Sequence, residues 1–560
     1  MMRRNMPIGI DDFKEVREKY YLVDKTDFIR QLIDGHGGAT LITRPRRFGK
    51  TLTMSMLDYF FSIEKKDETQ HLFKGLAIER AGEEYMAHRG AYPTIFLTLR
   101  GIKQPTFAEM LRNLGDTIGE LYLTHEEAIR KAPLRRADEE YIERVMDYKS
   151  DKLDLEQSLL KLCRFLKQTY GRPAILLLDE YDVPIQHSWE CGYYDEGIAF
   201  MKNFLGNALK GNPYLDFAII TGVLRVGKES IFSDLNNLRV CSVLSDTYAD
   251  VFGFTCSEVE KLLADIGCPE QMPVLKDWYD GYHFGSSEIY NPWSVINFIA
   301  EGGRPRPYWV NTSSNGILQE ILPQAREKRL QEMRSLLQGG TVWTTVNERI
   351  VYSDVRHSDN ALYTMLVTTG YLTVVSSHMD GDEVIYELRI PDREVRSVYA
   401  TEIMDHIARG LYSDEFITMR RSLFTGQTGE FEYELKRILI GIVSTYDTAN
   451  KETFYHGLML GLTAMLSAGR YQVRSNRESG YGRFDLMLMP RDKANPGVIM
   501  EFKVAETPED MEAKAREALQ QIEEKAYATE LETAGVNDIW RYGVAFCGKQ
   551  VCITRNQDGE

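Results

Sequence analysis

The most constraining feature of this chain is a run that leaves an apolar strand, turns through basic residues and opens a helix. It reads ATLIT, then Arg44, Pro45, Arg46, Arg47, Phe48, Gly49, Lys50, Thr51 and Leu52, then TMSML. A loop between a buried strand and a helix N-terminus gathers backbone N–H groups at the positive end of the helix dipole. It therefore suits the oxygens of a nucleotide phosphate. The consensus loop is GxxxxGK followed by Ser or Thr. Gly49, Lys50 and Thr51 match its end, whereas the first glycine position holds Arg44 and Pro45 supplies a different entry turn. Arg44, Arg46 and Arg47 add positive charge where a triphosphate would sit, unless they are solvated surface. The expected cradle is thus the whole run from Arg44 to Leu52, with ATP and Mg²⁺ as its ligands.

A second element supports that expectation. The run AILLLDEYD carries an apolar strand into Asp179 and Glu180. A carboxylate at the C-terminal end of a buried strand can hold Mg²⁺ through water, and the next one can orient the attacking water. Lys50 would neutralise the β/γ-phosphates, Thr51 would ligate the metal, Asp179 would stand in its outer shell and Glu180 would polarise water. Thr221 ends the strand FAIITG, where a polar side chain either caps the strand or senses the γ-phosphate. Arg225 follows it and either steadies transition-state charge or forms a surface ion pair.

The rest of the chain divides by pattern. The chain has 560 residues, 43 % of them hydrophobic and 27 % charged, which fits a globular protein of several domains. Up to about residue 272, short apolar runs alternate with amphipathic stretches such as 51–61 and 155–170, so an α/β fold with a parallel sheet is expected. Residues 273–410 mix aromatic and polar residues. They read as a mostly helical lid or winged-helix-like region with a small β element near its end. Residues 411–450 read as a helical connector. Seven scattered cysteines without a CxxC pair argue against a zinc site or a disulfide framework. No secretory leader and no run of about 18 apolar residues is evident, so a cytoplasmic protein without membrane contact is expected.

Residues 451–560 read helix, strand, strand, strand, helix, strand. Asp485 lies on one strand and Glu501-Phe502-Lys503 on the next. Strand side chains alternate faces, so Glu501 and Lys503 share one. The linker PRDKANPG suits a hairpin, which would bring Asp485 beside Glu501. Two adjacent carboxylates repel unless a cation joins them, and oxygen ligands suit Mg²⁺, with Mn²⁺ as a substitute. Lys503 would orient the attacking water or steady the charged phosphorane. Gln521 and Tyr527 in the following helix either approach this site or belong to an amphipathic face, the second being favoured. Glu452 and His456 open and line the first helix. Glu478 is expected in a turn, and Arg483 could meet a phosphate.

Several long motifs then align with one family. PIGIDDFKEVREKYYLVDKTDFI, TRPRRFGKT, LLLDEYDVPI, TGVLRVGKESIFSDLNN, WYDGYHFG, YNPWSVINF, YWVNTSSN, SNRESGYGRFDLML, IMEFKV and ALQQIEEKAY occur in that order. Together they resemble the bacterial AAA-ATPase-like proteins with a C-terminal PD-(D/E)XK nuclease-superfamily domain, over nearly the whole chain. The resemblance implies an AAA-like P-loop core of the additional-strand class and a restriction-endonuclease-like α/β domain. It also implies that Arg44 is normal at its position. Asp485, Glu501 and Lys503 match the nuclease pattern without departure.

The expected function is an ATPase coupled to a Mg²⁺-dependent nuclease acting on nucleic acid, DNA favoured over RNA, with self-association left open. The formal net charge of -16 weighs against a broad nucleic-acid footprint but not against a local basic groove. The alternative is a nucleotide-switch ATPase whose C-terminal domain only binds nucleic acid or a partner.

Overall fold

The computed structural model describes residues 5–35, 38–225, 238–309, 339–348, 359–397, 413–442, 470–479 and 482–556, with isolated positions within 332–337, at 399 and within 455–466. It divides into two compact units. The first comprises Met1–Ser314 with Arg326–Ser397, and the second comprises Val398–Glu560 with Asn315–Ala325.

The first unit is built on five parallel strands: β1 (Ala39–Thr43), β2 (Thr94–Thr98), β3 (Ala174–Asp179), β4 (Leu215–Gly222) and β5 (Leu238–Cys241). Their order is β2-β3-β4-β1-β5. β4 is therefore inserted between the strand that feeds the phosphate loop and the strand that ends in Asp179. That is the additional-strand arrangement. Every residue of β1 and β3 is buried, as expected for strands covered by helices on both faces. Helix Lys152–Tyr170 shows how local sequence sets the boundaries. The Asp151 side chain accepts from the Asp154 N–H at its start, and Gly171 takes a left-handed turn at its end. β5 was not read from the sequence, because LRVC is too short to carry a period.

The middle region up to Ser397 belongs to this same unit. It holds the hairpin β6 (Tyr282–Phe284) and β7 (Ser287–Ile289), helix Pro292–Ala300, and a three-stranded antiparallel sheet. In that sheet β8 (Val342–Thr345), β9 (Thr373–Asp380) and β10 (Glu383–Arg389) are ordered β8-β10-β9, with helix Asp359–Thr369 leading into the β9–β10 hairpin. Gly370 follows that helix at φ 89°, and a Cβ there would lie 2.9 Å from the Pro45 Cβ. Gly370→Ala is expected to cost about 1–2 kcal/mol for the left-handed backbone alone. The loss would appear as a lower midpoint in chemical unfolding.

The second unit has a mixed sheet of β11 (Tyr471–Ser479), β12 (Gly482–Pro490), β13 (Gly497–Val504), β14 (Ile539–Cys547) and β15 (Gln550–Arg555), in that spatial order. Only β13 and β14 run parallel, joined by a crossover that contains helix Met511–Glu524; the other pairs are antiparallel. Helices Ser413–Thr425 and Thr428–Ile442 cover one face through Leu423, Phe431 and Leu435 against Leu488, Met500 and Phe502. The crossover side covers the other face through Ile522, Tyr527 and Leu531 against Phe484, Met487 and Ile499. Two expectations need correction here. Glu478 lies within β11 and pairs with Arg483, because the ladder runs on to Ser479 and Gly482. A further strand, β15, follows β14.

Candidate functional site

In the first unit the expected carboxylate sits at the focus of three strands and a helix. Asp179 is fully buried at the end of β3. Thr51 Oγ1 donates to its Oδ2 at 2.8 Å, and Thr221 Oγ1 donates to its Oδ1 at 2.5 Å. Thr98 Oγ1, at the end of β2, lies 3.5 Å from Oδ2. The strand order explains this meeting, since β2 and β4 flank β3 and end level with it. Thr98 was not singled out from the sequence. Its only signal was a polar residue ending a strand, the same signal that Thr221 gave.

Lys50 opens helix Lys50–Phe61 and is buried. Its Nζ donates to the carbonyls of Arg44 and Pro45, each at 3.0 Å. Burial lowers its pKa, while Glu180, Asp179 and Asp182 pull it back up. Gly49 precedes it at φ 83° and brings no capping side chain to the helix N-terminus. Glu180 sits at φ 54°, an uncommon backbone for a side chain larger than glycine. It is half-buried, burial raises its pKa, and Lys50 acts in the opposite direction.

The arginines of the loop part company. The Arg44 side chain turns inward to backbone carbonyls, which differs from its expected place in the cradle. Its guanidinium is fully buried and donates to the carbonyls of Thr43 (2.9 Å), Cys241 (3.0 Å) and Tyr248 (3.0 Å). It lies over the Phe284 ring at 5.0 Å, and burial pushes its pKa down to about 10. Arg44 thus bolts the loop to β5, which is how the loop manages without a first glycine. Arg46 reaches Gln186 Oε1 at 3.4 Å, and Arg47, at φ 72°, stacks over Trp293 at 4.0 Å. Phe48 is buried against Tyr282 and Phe284, so its side chain anchors the loop. Leu52 is half-buried in the helix after Thr51.

One residue missed by sequence reading ties these parts together. Asp182 is buried, and its Oδ2 accepts the N–H groups of Val223 (2.9 Å) and Leu224 (2.8 Å). Tyr181 adds a hydrogen bond from its hydroxyl to the Leu224 carbonyl at 2.7 Å. The chain just after Glu180 is therefore stitched to the chain just after Thr221. Arg225 follows that stitch half-buried, and among the described residues no hydrogen bond or ion pair joins it to Asp179, Glu180 or Lys50.

In the second unit the strand alternation has the expected result. The β12–β13 register pairs Leu486 with Met500, so Asp485 stands opposite Glu501. The Asp485 N–H donates to Glu501 Oε2 at 3.3 Å, and Asp485 Oδ2 accepts the Phe502 N–H at 2.7 Å. Lys503 Nζ donates to Gln521 Oε1 at 2.6 Å, and Gln521 Nε2 donates to Glu501 Oε1. Gln521 therefore bridges the carboxylate and the lysine. Its helix face meets the carboxylate and the lysine, where the sequence alone favours an amphipathic surface. Tyr527 is buried beside it, with its hydroxyl 3.3 Å from Gln521 Nε2, and burial raises its pKa. His456 Nε2 donates to the Asp485 carbonyl at 3.0 Å and fixes the strand from the opposite face, where its ring meets Phe502. Glu452 lies outside the described residues.

The donor set suits a hard divalent cation. Asp485 and Glu501 bring two carboxylates to facing positions of paired strands, which is otherwise an unfavourable juxtaposition. Among the described residues no group of three or more His, Cys, Asp or Glu is poised to hold a metal. A cation at this pair would thus keep water or substrate oxygens in its remaining positions, as Mg²⁺ does. No helix among the described residues is long and apolar enough to cross a membrane.

Fold and site together define a P-loop domain of the additional-strand class followed by a restriction-endonuclease-like domain. Comparison with known families agrees. Residues 7–232 match the family described as predicted AAA-ATPase, and residues 450–556 match the PD-(D/E)XK nuclease superfamily. The chain thus joins an AAA-ATPase-like domain to a PD-(D/E)XK nuclease-superfamily domain. It is also similar to "Uncharacterized protein in vnfD 5'region" from Azotobacter chroococcum mcd 1, 26 % identical over 570 residues, which cover 98 % of this chain and 97 % of that one.

Proposed function

We propose that the protein binds and hydrolyses ATP in its first unit, and that ATP turnover governs a Mg²⁺-dependent phosphodiester hydrolysis carried out by its second. The nuclease reading rests on the convergence of Asp485, Glu501 and Lys503 from two paired strands, with Gln521 bridging the last two. A cation held by Asp485 and Glu501 would supply Lewis-acid stabilisation of the phosphoryl oxygens. Lys503 would hold the attacking water or the developing negative charge. Gln521 would keep the lysine and Glu501 at a fixed spacing before substrate arrives. DNA is the favoured substrate.

At the nucleotide site, Lys50 would exchange the Arg44 and Pro45 carbonyls for phosphate oxygens. Thr51 and Asp179 would hold Mg²⁺, and Thr221 would orient Asp179. Glu180 would polarise the attacking water. Arg46 and Arg47 remain in the proposed cradle with the backbone of Pro45, Phe48, Gly49 and Leu52, and Arg225 remains a candidate for transition-state charge.

The test is cleavage of plasmid, linear and single-stranded DNA and of RNA, with Mg²⁺ or Mn²⁺, with and without ATP. Cleavage that requires Asp485 and responds to Lys50→Ala supports the reading. ATP hydrolysis without cleavage of any substrate would leave a nucleotide switch whose second unit only binds. Gln521→Ala is expected to lower cleavage by about tenfold, as loss of a positioning hydrogen bond to a charged group does. A rate equal to wild type would remove Gln521 from the site.

A further inference from the structure

The motifs YNPWSVINF and YW, together with the segment PDREV, have no part in the two reactions, yet they meet the phosphate loop. Trp309 is buried, and its Nε1 donates to the Arg46 carbonyl at 3.3 Å. Its ring packs edge-on against Tyr371 with centroids 5.1 Å apart, one residue after the Gly370 that abuts Pro45. The Trp309 backbone N–H donates to Glu394 Oε1 at 2.6 Å, and Ser294 Oγ donates to Glu394 Oε2 at 2.6 Å. Ser294 adjoins Trp293, on which Arg47 stacks. Glu394 is itself fully buried. One buried carboxylate thus holds two segments, each of which touches a different arginine of the loop.

We propose that Glu394, acting through Trp309 and the helix that carries Ser294, is a positioning residue for the phosphate loop, so that nucleotide affinity is set from the middle region. This rests on the ATP-binding reading above. The physical need is clear. A loop with a glycine at its first position folds by backbone freedom, whereas this one has arginine and proline there and must be held from outside. Arg44 fixes one end by its three carbonyl bonds, and Gly49 fixes the other. Between them, the Arg46 carbonyl and the Arg47 side chain are held only by Trp309 and Trp293 among the described contacts with the middle region.

The carboxyl gives this device a signature that simple packing lacks. Burial raises the Glu394 pKa to about 7 from the ordinary 4.5, while the Ser294 hydroxyl and the Trp309 and Tyr308 N–H groups pull it down. The titratable and charged groups around it are Asp392, itself buried and raised, Tyr279 from helix Met272–Tyr279, and Arg396 beside Asp392. Ionised Glu394 accepts both hydrogen bonds more strongly, so the loop is held better above that pKa. Glu394→Gln keeps the shape. Its Oε1 can accept from the Trp309 N–H, and its Nε2 can donate to Ser294 Oγ.

The experiment measures ATP affinity by titration calorimetry between pH 6 and 8 for wild type, Trp309→Phe, Glu394→Gln and Glu394→Ala, with Lys50→Ala as the control for the site. Trp309→Phe is expected to weaken binding about fivefold, the worth of one hydrogen bond. Glu394→Ala should weaken it more. Glu394→Gln should recover most of that loss and remove the component of the pH profile centred near 7. Subtracting the Gln profile from that of wild type cancels the titration of the nucleotide itself. Wild-type affinity and pH profile in both Trp309→Phe and Glu394→Gln would overturn the proposal while leaving ATP binding intact. Failure of wild type to bind ATP would instead overturn the ATP reading, and this proposal with it. A Glu394→Ala protein that does not fold leaves the Phe and Gln variants to decide.

Discussion

Asp485→Ala is expected to lower nucleic-acid cleavage by about a thousandfold or more, while ATP hydrolysis stays at the wild-type rate. The magnitude follows from losing a group that stabilises charge in the transition state, where single deletions cost about 10²–10³ and loss of the cation costs more. Asp485 does two things at once. Its Oδ2 holds the Phe502 N–H, and its backbone N–H reaches Glu501. Asp485→Asn therefore makes a useful companion, because the amide keeps an acceptor for Phe502 and removes only the charge. Equal loss in both variants assigns the effect to charge. Loss in Ala alone would assign it to the shape of the strand pair. Full cleavage in both would remove the second unit from the chemistry altogether.

Glu180→Gln is expected to reduce ATP turnover by about 10²–10⁴-fold, the range for removing a general base, without weakening ATP binding. The backbone of Glu180 is held at φ 54° by the stitching of Tyr181 and Asp182 to the end of β4, so the substituted side chain should keep its place. Single-turnover hydrolysis and equilibrium binding of labelled ATP separate the two quantities. Weaker binding at an unchanged turnover rate would show that Glu180 contacts the nucleotide ground state and does not activate water. Lys50→Ala should do the opposite and lose binding first, since on the proposed reading Lys50 would supply charge to the phosphates before and during reaction.

Much of this architecture could be read from residues alone, and the reasons are specific. The strands β1 to β4 were legible because buried parallel strands are continuous apolar runs, and Asp179 was legible because it ends one. Asp485 and Glu501 were legible because alternation and a hairpin loop fix which side chains face each other. Arg44 misled for a physical reason: a basic residue in a phosphate loop suggests a ligand, but its length also lets it reach back to carbonyls on a neighbouring strand. Gln521 was hidden because helix periodicity places it on a face without saying what that face meets. Asp182 and Glu394 were hidden more deeply. Each is a carboxylate buried by contacts more than 40 residues away, and no local pattern reports such a partner.

The parallel pairing of β13 with β14 also bears on when the second unit could become competent during synthesis. Asp485, Glu501 and Lys503 have all emerged by residue 503, but Gln521 comes in the crossover, and β14 must still arrive to flank β13. A sheet of this kind cannot close until its crossover is made, since parallel neighbours cannot be joined by a tight turn. The first unit ends at Ser397 and can begin to fold well before that point, as N-terminal domains do on the ribosome. A nascent chain would thus carry a formed Arg44–Leu52 loop for some time before it carried a complete carboxylate–lysine cluster. That order places completion of the carboxylate–lysine cluster after the unit that carries the phosphate loop.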